Sequence, residues 1–187
     1  MKPVWTTAAV AAYRGGEMKR TSVAAACLFL SACGVDPQFV KQSDVPPGAK
    51  VGVVPFRDCL IDSQEDCDGS GGVAGSIFAR IFSEEGFSAV LLSRPVGARM
   101  ELSDAVAVDT AKEQGLAFVI NGEVTQFYRV APMTFRPDRA GLSVRLLRVD
   151  TGEVAAAYSD VRASKTNFSS PDSMIADMAE EVRDELQ

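Results

Sequence analysis

Read for polarity alone, the chain divides into short apolar runs and amphipathic stretches separated by glycine and proline. Lys50 to Phe56 is brief, β-branched and almost wholly apolar, which predicts a strand buried on both faces. Between Val73 and Glu85, the residues Val73, Ile77, Phe78, Ile81 and Phe82 recur at helical spacing, and Gly86 supplies a stop. Phe87 to Leu92 predicts a second buried strand. Ser103 is placed to cap a helix that runs through Gln114, with Val106, Ala107 and Ala111 inward and Gly115 closing it. Phe118 to Val130 predicts a long strand, in which Gly122 marks a bulge or a close backbone approach. Residues 131–141, with Pro132, Pro137 and Gly141, read as a loop. Leu142 to Val149 and Glu153 to Ala163 predict a hairpin turning at Asp150-Thr151-Gly152. Ser170-Pro171 opens a last helix with a serine cap and proline at its first position. Met174, Ile175, Met178, Ala179, Val182 and Leu186 form its apolar stripe.

The predicted order is β-α-β-α-β-β-β-α over residues 50–187, a single domain without internal repeats. Helical crossovers between the first three strands imply parallel pairing, and the hairpin adds antiparallel strands. The fold class is therefore α/β in the broad sense, an α+β mixed sheet with helices packed on it.

The N-terminal region follows a different pattern. Lys19-Arg20 precedes about ten apolar or small residues, Val23 to Ala32, and then Cys33. That run is too short for a membrane span, which needs about 20 residues, and fits the h-region of a secretory signal. Met18 is as good a start for such a signal as Met1. Leu30-Ser31-Ala32-Cys33 resembles the lipobox of bacterial lipoproteins. The resemblance implies removal of residues 1–32 and acyl chains, palmitate among them, on Cys33. Several chains together give stable anchoring. Gly34, rather than aspartate, follows the cysteine, which resembles the signal for an outer-membrane destination. Residues 34–49 carry three prolines and no apolar period. They read as a flexible tether behind the lipidated cysteine, reaching at most about 55 Å.

Charge and cysteine content narrow the picture further. Removal of Lys2, Arg14, Glu17, Lys19 and Arg20 leaves 15 basic residues against 24 acidic ones, a net charge of −9. So acidic a surface repels phosphate backbones and anionic headgroups, which argues against nucleic-acid binding and leaves membrane attachment to the lipid. Of four cysteines, Cys27 leaves with the signal and Cys33 is the lipidation site. Cys59 and Cys67 remain. A disulfide is favoured in an oxidising compartment, with free thiols or a metal site as the alternatives. No histidine occurs anywhere in the sequence. Its absence weakens any zinc reading and removes Ser-His and Cys-His nucleophile systems. No catalytic residue, metal or cofactor is expected.

Three stretches invite a site. Gly69 to Gly75 precedes the first helix, but a dozen residues separate it from the strand before it, and the Lys-Ser/Thr of a P-loop is missing. Asp58, Asp62, Glu65, Asp66 and Asp68 crowd the cysteine loop without the ligand spacing of an EF-hand. Phe127, Tyr128, Met133 and Phe135 gather around Pro132 and Pro137, where loop polarity would be expected. They form a candidate partner or membrane-facing surface, with ordinary packing under the sheet as the rival reading.

Val51-Gly52-Val53-Val54-Pro55-Phe56 resembles the opening strand of the periplasmic domain shared by the curli secretion lipoprotein CsgG, the Pel polysaccharide lipoprotein PelC, the synthase activator LpoB and the N-terminal part of TolB. Ala111 to Val124, ending in Gly115 to Val124, is similar to their helix-then-strand pattern, and Arg145 to Val154, containing Val149 to Val154, to their hairpin turn. The resemblance implies a non-enzymatic envelope protein on the periplasmic face of the outer membrane, assembled into homo-oligomeric rings or bound to an envelope partner. Two roles follow from it: a component of an export or secretion system, or an activator of a peptidoglycan synthase. The first localisation test is mass spectrometry of the mature N-terminus. Acylated Cys33 is the expected result, and an unmodified cysteine would overturn the anchor.

Overall fold

The computed structural model describes residues 37–61, 65–84, 86–130, 136–164 and 169–187. Six strands form one sheet: β1 (Gln38–Lys41), β2 (Lys50–Val53), β3 (Ser88–Leu91), β4 (Phe118–Tyr128), β5 (Arg139–Arg148) and β6 (Val154–Ala163). Three helices pack on it: α1 (Ser70–Glu84), α2 (Asp104–Glu113) and α3 (Pro171–Leu186). The strand order is β1-β6-β5-β4-β2-β3. β2 pairs in parallel with both β3 and β4, while β4, β5, β6 and β1 pair antiparallel. The expected mixed sheet is therefore present, with crossover helices where the pairing is parallel and a hairpin where it is not.

The period-2 rule of a pleated strand explains how the helices are divided between the two faces. On β4, Phe118, Ile120 and Val124 point to one face and join Val51, Val53, Leu142, Val144, Leu146 and Tyr158 in a core covered by α1 and α3. Val119 points the other way, into a smaller core with Val54, Leu92, Leu147 and the α2 residues Ala107 and Ala111. Under α1, Phe56 meets the edge of Phe78 at 5.0 Å, Phe78 stacks on Phe82 at 6.0 Å, and Phe82 on Phe87 at 5.4 Å. These rings add geometric specificity to their buried area. Val35–Gln187 form one compact unit, and both cores are built entirely from its residues.

The helix caps follow the sequence. Ser103 accepts the Val106 N–H, and Ser170 accepts that of Ser173, each satisfying a donor the helix leaves unpaired. Gly86 and Gly115 take φ of 85° and 66°, the left-handed geometry that ends α1 and α2.

Several boundaries differ from the sequence pattern: β2 ends at Val53 rather than Phe56 and β4 at Tyr128 rather than Val130. The proposed tether is shorter, because residues 38–41 form β1 and pair with β6. Val45 is also buried. Helix α1 starts at Ser70 rather than Val73, so it takes in part of the glycine run. The β4 bulge falls between Val124 and Gln126 and not at Gly122. Gly122 takes the other expected role, a close backbone approach, since a Cβ there would lie 2.7 Å from the Ser143 carbonyl oxygen. Finally, β5 begins at Arg139, three residues earlier than expected. In each case pairing or burial by distant residues overrides a weak local signal.

Phe78 is fully buried and touches two other rings. Phe78→Ala is expected to lower stability by about 3–5 kcal/mol in urea titration followed by circular dichroism.

Candidate functional site

The glycine run lies where an anion would be held, but the chain fills the position itself. Asp58, 3% exposed, accepts the Gly71 N–H at 2.7 Å and the Gly69 N–H at 2.9 Å. A carboxylate in this position satisfies orphan donors and complements the positive end of the helix dipole. Phe56 and Gly71 bond through their backbones at 3.0 Å. A Cβ at residue 71 would stand 2.0 Å from the Phe56 oxygen, so only glycine permits that approach. The phosphate reading of Gly69 to Gly75 is thereby displaced by an internal cap.

The cysteine loop hangs from the same point. Cys59 and Cys67 are bridged and buried, and the Cys59 N–H donates to Ser70 Oγ at 3.2 Å. The Asp58 N–H reaches the Ala98 carbonyl at 2.9 Å. From the facing loop Arg94 donates to the carbonyls of Pro55, at 2.8 Å, and of Met100. Burial lowers the Arg94 pKa, against the opposing pull of Asp58. Asp68 pairs with Arg99 at 2.7 Å. Among the described residues no cluster of three or more acidic, cysteine or histidine side chains could hold a metal ion, and no helix is long and apolar enough to cross a membrane.

A polar cleft of about 140 Å³ opens beyond the end of β2, lined by Arg57, Glu101, Asn121, Glu123, Ser143 and Arg145, with Leu102 and Gly122 completing it. Arg57 is bonded to Glu123, and Arg145 to Asp104 at 3.0 Å. Asn121, 2% exposed, donates to Asp104 at 2.8 Å and to the Leu102 carbonyl at 3.0 Å. Each guanidinium in the cleft is already committed to a carboxylate.

Beside the cleft the sheet is open. The face opposite α1 and α3 is covered by α2 over β2, β4 and the Leu147 end of β5, whereas over the rest of β5 and β6 and over β1 no described helix covers it. Ser143, Arg145, Ala157, Ser159, Val161 and Val40 line this area. Val40 is 54% exposed and Val161 42%. The opposite face carries a buried polar network that sequence reading missed. Tyr158 Oη lies 3.0 Å from Glu181 and 3.2 Å from Asp160, and Arg162 binds both carboxylates. Burial pushes the Tyr158 phenol up, against the pull of Arg162 and with the help of Asp160 and Glu181. The network ties β6 to α3. Its one sequence signal is the i, i+2, i+4 spacing of Tyr158, Asp160 and Arg162.

The sequence-derived surface residues separate. Phe127 lies in the core at 5% exposure, and Tyr128 is half-buried. Packing, the rival reading, therefore accounts for Phe127. Met133, Phe135 and the lipidation candidate Cys33 fall outside the described residues.

Asp58→Ala should cost about 2–3 kcal/mol, because two buried or half-buried N–H groups lose their acceptor. Asp58→Asn, which keeps one carbonyl oxygen, should lose less. Reducing the Cys59–Cys67 bridge should cost roughly 2–3 kcal/mol. Thermal melts with and without reductant check both expectations.

No protein-family model matches the chain, and no curated protein matches it in sequence. Among solved structures, it is similar to the PelC dodecamer from Paraburkholderia phytofirmans, with 21% identity, 81% of this chain and 96% of that chain covered, and a TM-score of 0.63. Lipoprotein GNA1162 from Neisseria meningitidis follows at 17% identity, covering 74% of this chain and 96% of that one, with a TM-score of 0.46. LpoB from Escherichia coli is 12% identical, with 87% and 85% covered and a TM-score of 0.42. At these identities the likeness is one of fold, and the fold is PelC-like.

Proposed function

We propose that this chain is a lipid-anchored protein on the periplasmic face of the outer membrane, a non-enzymatic assembly module of an envelope export or secretion system. Residues 1–32 would serve as its signal peptide and Cys33 as its acylated first residue. The observation that carries the reading is the fold likeness to PelC over 96% of that chain, joined to the lipobox-like Leu30-Ser31-Ala32-Cys33. The PelC structures are dodecamers, and assembly requires a surface the monomer leaves uncovered. The open sheet face supplies one. Small residues such as Ala157 and Ser159 allow close approach, and Val40 and Val161 supply apolar area.

The alternative role, activation of a peptidoglycan synthase, is less well supported. An activator of that type is expected to reach its partner on a long tether. Here β1 absorbs part of the linker, leaving four residues between Cys33 and Gln38. They span at most about 17 Å.

Light scattering after size exclusion tests the assembly reading on residues 35–187. The expected mass exceeds that of a monomer, and Val161→Asp on the open face should return it to the monomer value. A monomer throughout at high concentration would sink the proposal.

A further inference from the structure

Strand direction decides which end of the domain Cys33 can approach. β1 runs antiparallel to β6 with Gln38 opposite Ser159, so its start points along β6 toward Ala163. Ala163 pairs with Arg139, and Arg139 with Tyr128, the last residue of β4. The chain therefore enters the sheet at the end that carries the β4–β5 connection. Ala163 lies four residues beyond Ser159, a rise of about 13 Å. Four residues lie between Cys33 and Gln38, a connection that reaches at most about 17 Å. An anchor at Cys33 thus brings this end to the membrane, and not the end carrying the Asp150 turn.

The net charge of −9 opposes attraction of the whole domain to anionic lipid. At this end four carboxylates have partners, and the two that accept only a backbone N–H, Asp138 and Asp66, keep their negative charge. Asp138 accepts the Val130 N–H at 2.7 Å, and Asp66 accepts that of Arg129 at 3.1 Å. Asp172 pairs with Arg129, and buried Asp160 is held by Arg162 at 2.6 Å. Arg136 and Arg139 are both exposed, and neither has an ion-pair partner among the described residues. A guanidinium fork matches the oxygens of a phosphodiester.

The geometry points to a second membrane contact, in which Arg136 and Arg139 bind the phosphates of anionic lipid headgroups and fix the tilt of the tethered domain. The contact rests on the anchor reading for its setting in the cell. Each arginine near an anionic surface strengthens partitioning by about fivefold. Two of them do not hold an acidic domain on a bilayer by themselves. On a tether of about 17 Å the headgroups are always at high effective concentration, and a weak contact then suffices to orient the domain.

The contact can be tested without cellular acylation. In residues 33–187 the Cys59–Cys67 bridge leaves Cys33 as the thiol that couples to a maleimide lipid. The coupled protein is placed on vesicles rich in phosphatidylglycerol or on neutral phosphatidylcholine vesicles. Hydrogen exchange is then followed from Arg136 to Leu142. Slower exchange on the anionic vesicles is expected, reversed by high salt and lost in the R136E/R139E double variant. R80E, on the exposed surface of α1, should keep the protection. Equal exchange on the two vesicle types, or protection that survives the double variant, would overturn the contact. Circular dichroism confirms that each variant is folded. Since coupling replaces acylation, failure here leaves the anchor reading intact, and an unmodified Cys33 in cells leaves this result intact.

Discussion

The buried carboxylate of Asp58 sets the geometry on which the β2–α1 half of the molecule depends. It closes the amino end of α1 through Gly69 and Gly71 while its own N–H holds the Ala98 carbonyl. A helix entering the fold seventeen residues after the end of β2 would otherwise have a poorly defined start. Fixed there, α1 comes close enough to the strand exit for residue 71 to require glycine, and Phe56, Phe78 and Phe82 fall into contact. The disulfide acts beside this cap, restricting the unfolded loop, whereas Asp58 selects the folded position of the helix. The two devices therefore divide the work between the two states.

The other half rests on long antiparallel pairing. β4, β5 and β6 are ten or eleven residues each, so β6 extends past the region that α2 covers. β1 takes the outer edge of β6, with Phe39 turned toward the larger core. An edge strand of four residues adds little burial, but it masks part of a sheet edge that could otherwise recruit other strands. It also fixes where the incoming chain joins the domain. The α3 side is secured differently, by the satisfied network of Tyr158, Asp160, Arg162 and Glu181. Such a network rigidifies a packing interface when all its members have partners.

Those differences explain what could be read from the sequence. The caps at Ser103 and Ser170, the glycine stops and the apolar stripe of α3 are local signals, and each appears as expected. β1 was illegible because Gln38-Phe39-Val40-Lys41 is brief, lies between prolines and gains its order from β6, more than a hundred residues away. Asp58 looked like one acid among several in a loop. Only the folded chain shows that it stands under the helix end thirteen residues before Gly71. The aromatic surface failed at Phe127 for a related reason. The bulge before Gln126 resets which face of β4 points inward, so counting along the strand does not place that ring.

Assembly and membrane contact call on different directions of the same sheet. The open area over β5, β6 and β1 looks out along the sheet normal, while Arg136 and Arg139 stand where the strands end, along the strand axis. A partner on the face does not need to cover the end, and a bilayer at the end does not need to cover the face. In the proposed anchoring, a short connection from Cys33 would keep the second direction toward the lipid and leave the first lying in the membrane plane. Copies of the domain meeting through that face would therefore extend laterally beneath the membrane, each still attached through its own anchor. A longer flexible linker would remove this coupling, because the domain could then turn freely between the two orientations. The conversion of linker residues 38–41 into β1 is thus more than a boundary detail. With the proposed anchor at Cys33, it would tie the direction of assembly to the direction of the membrane.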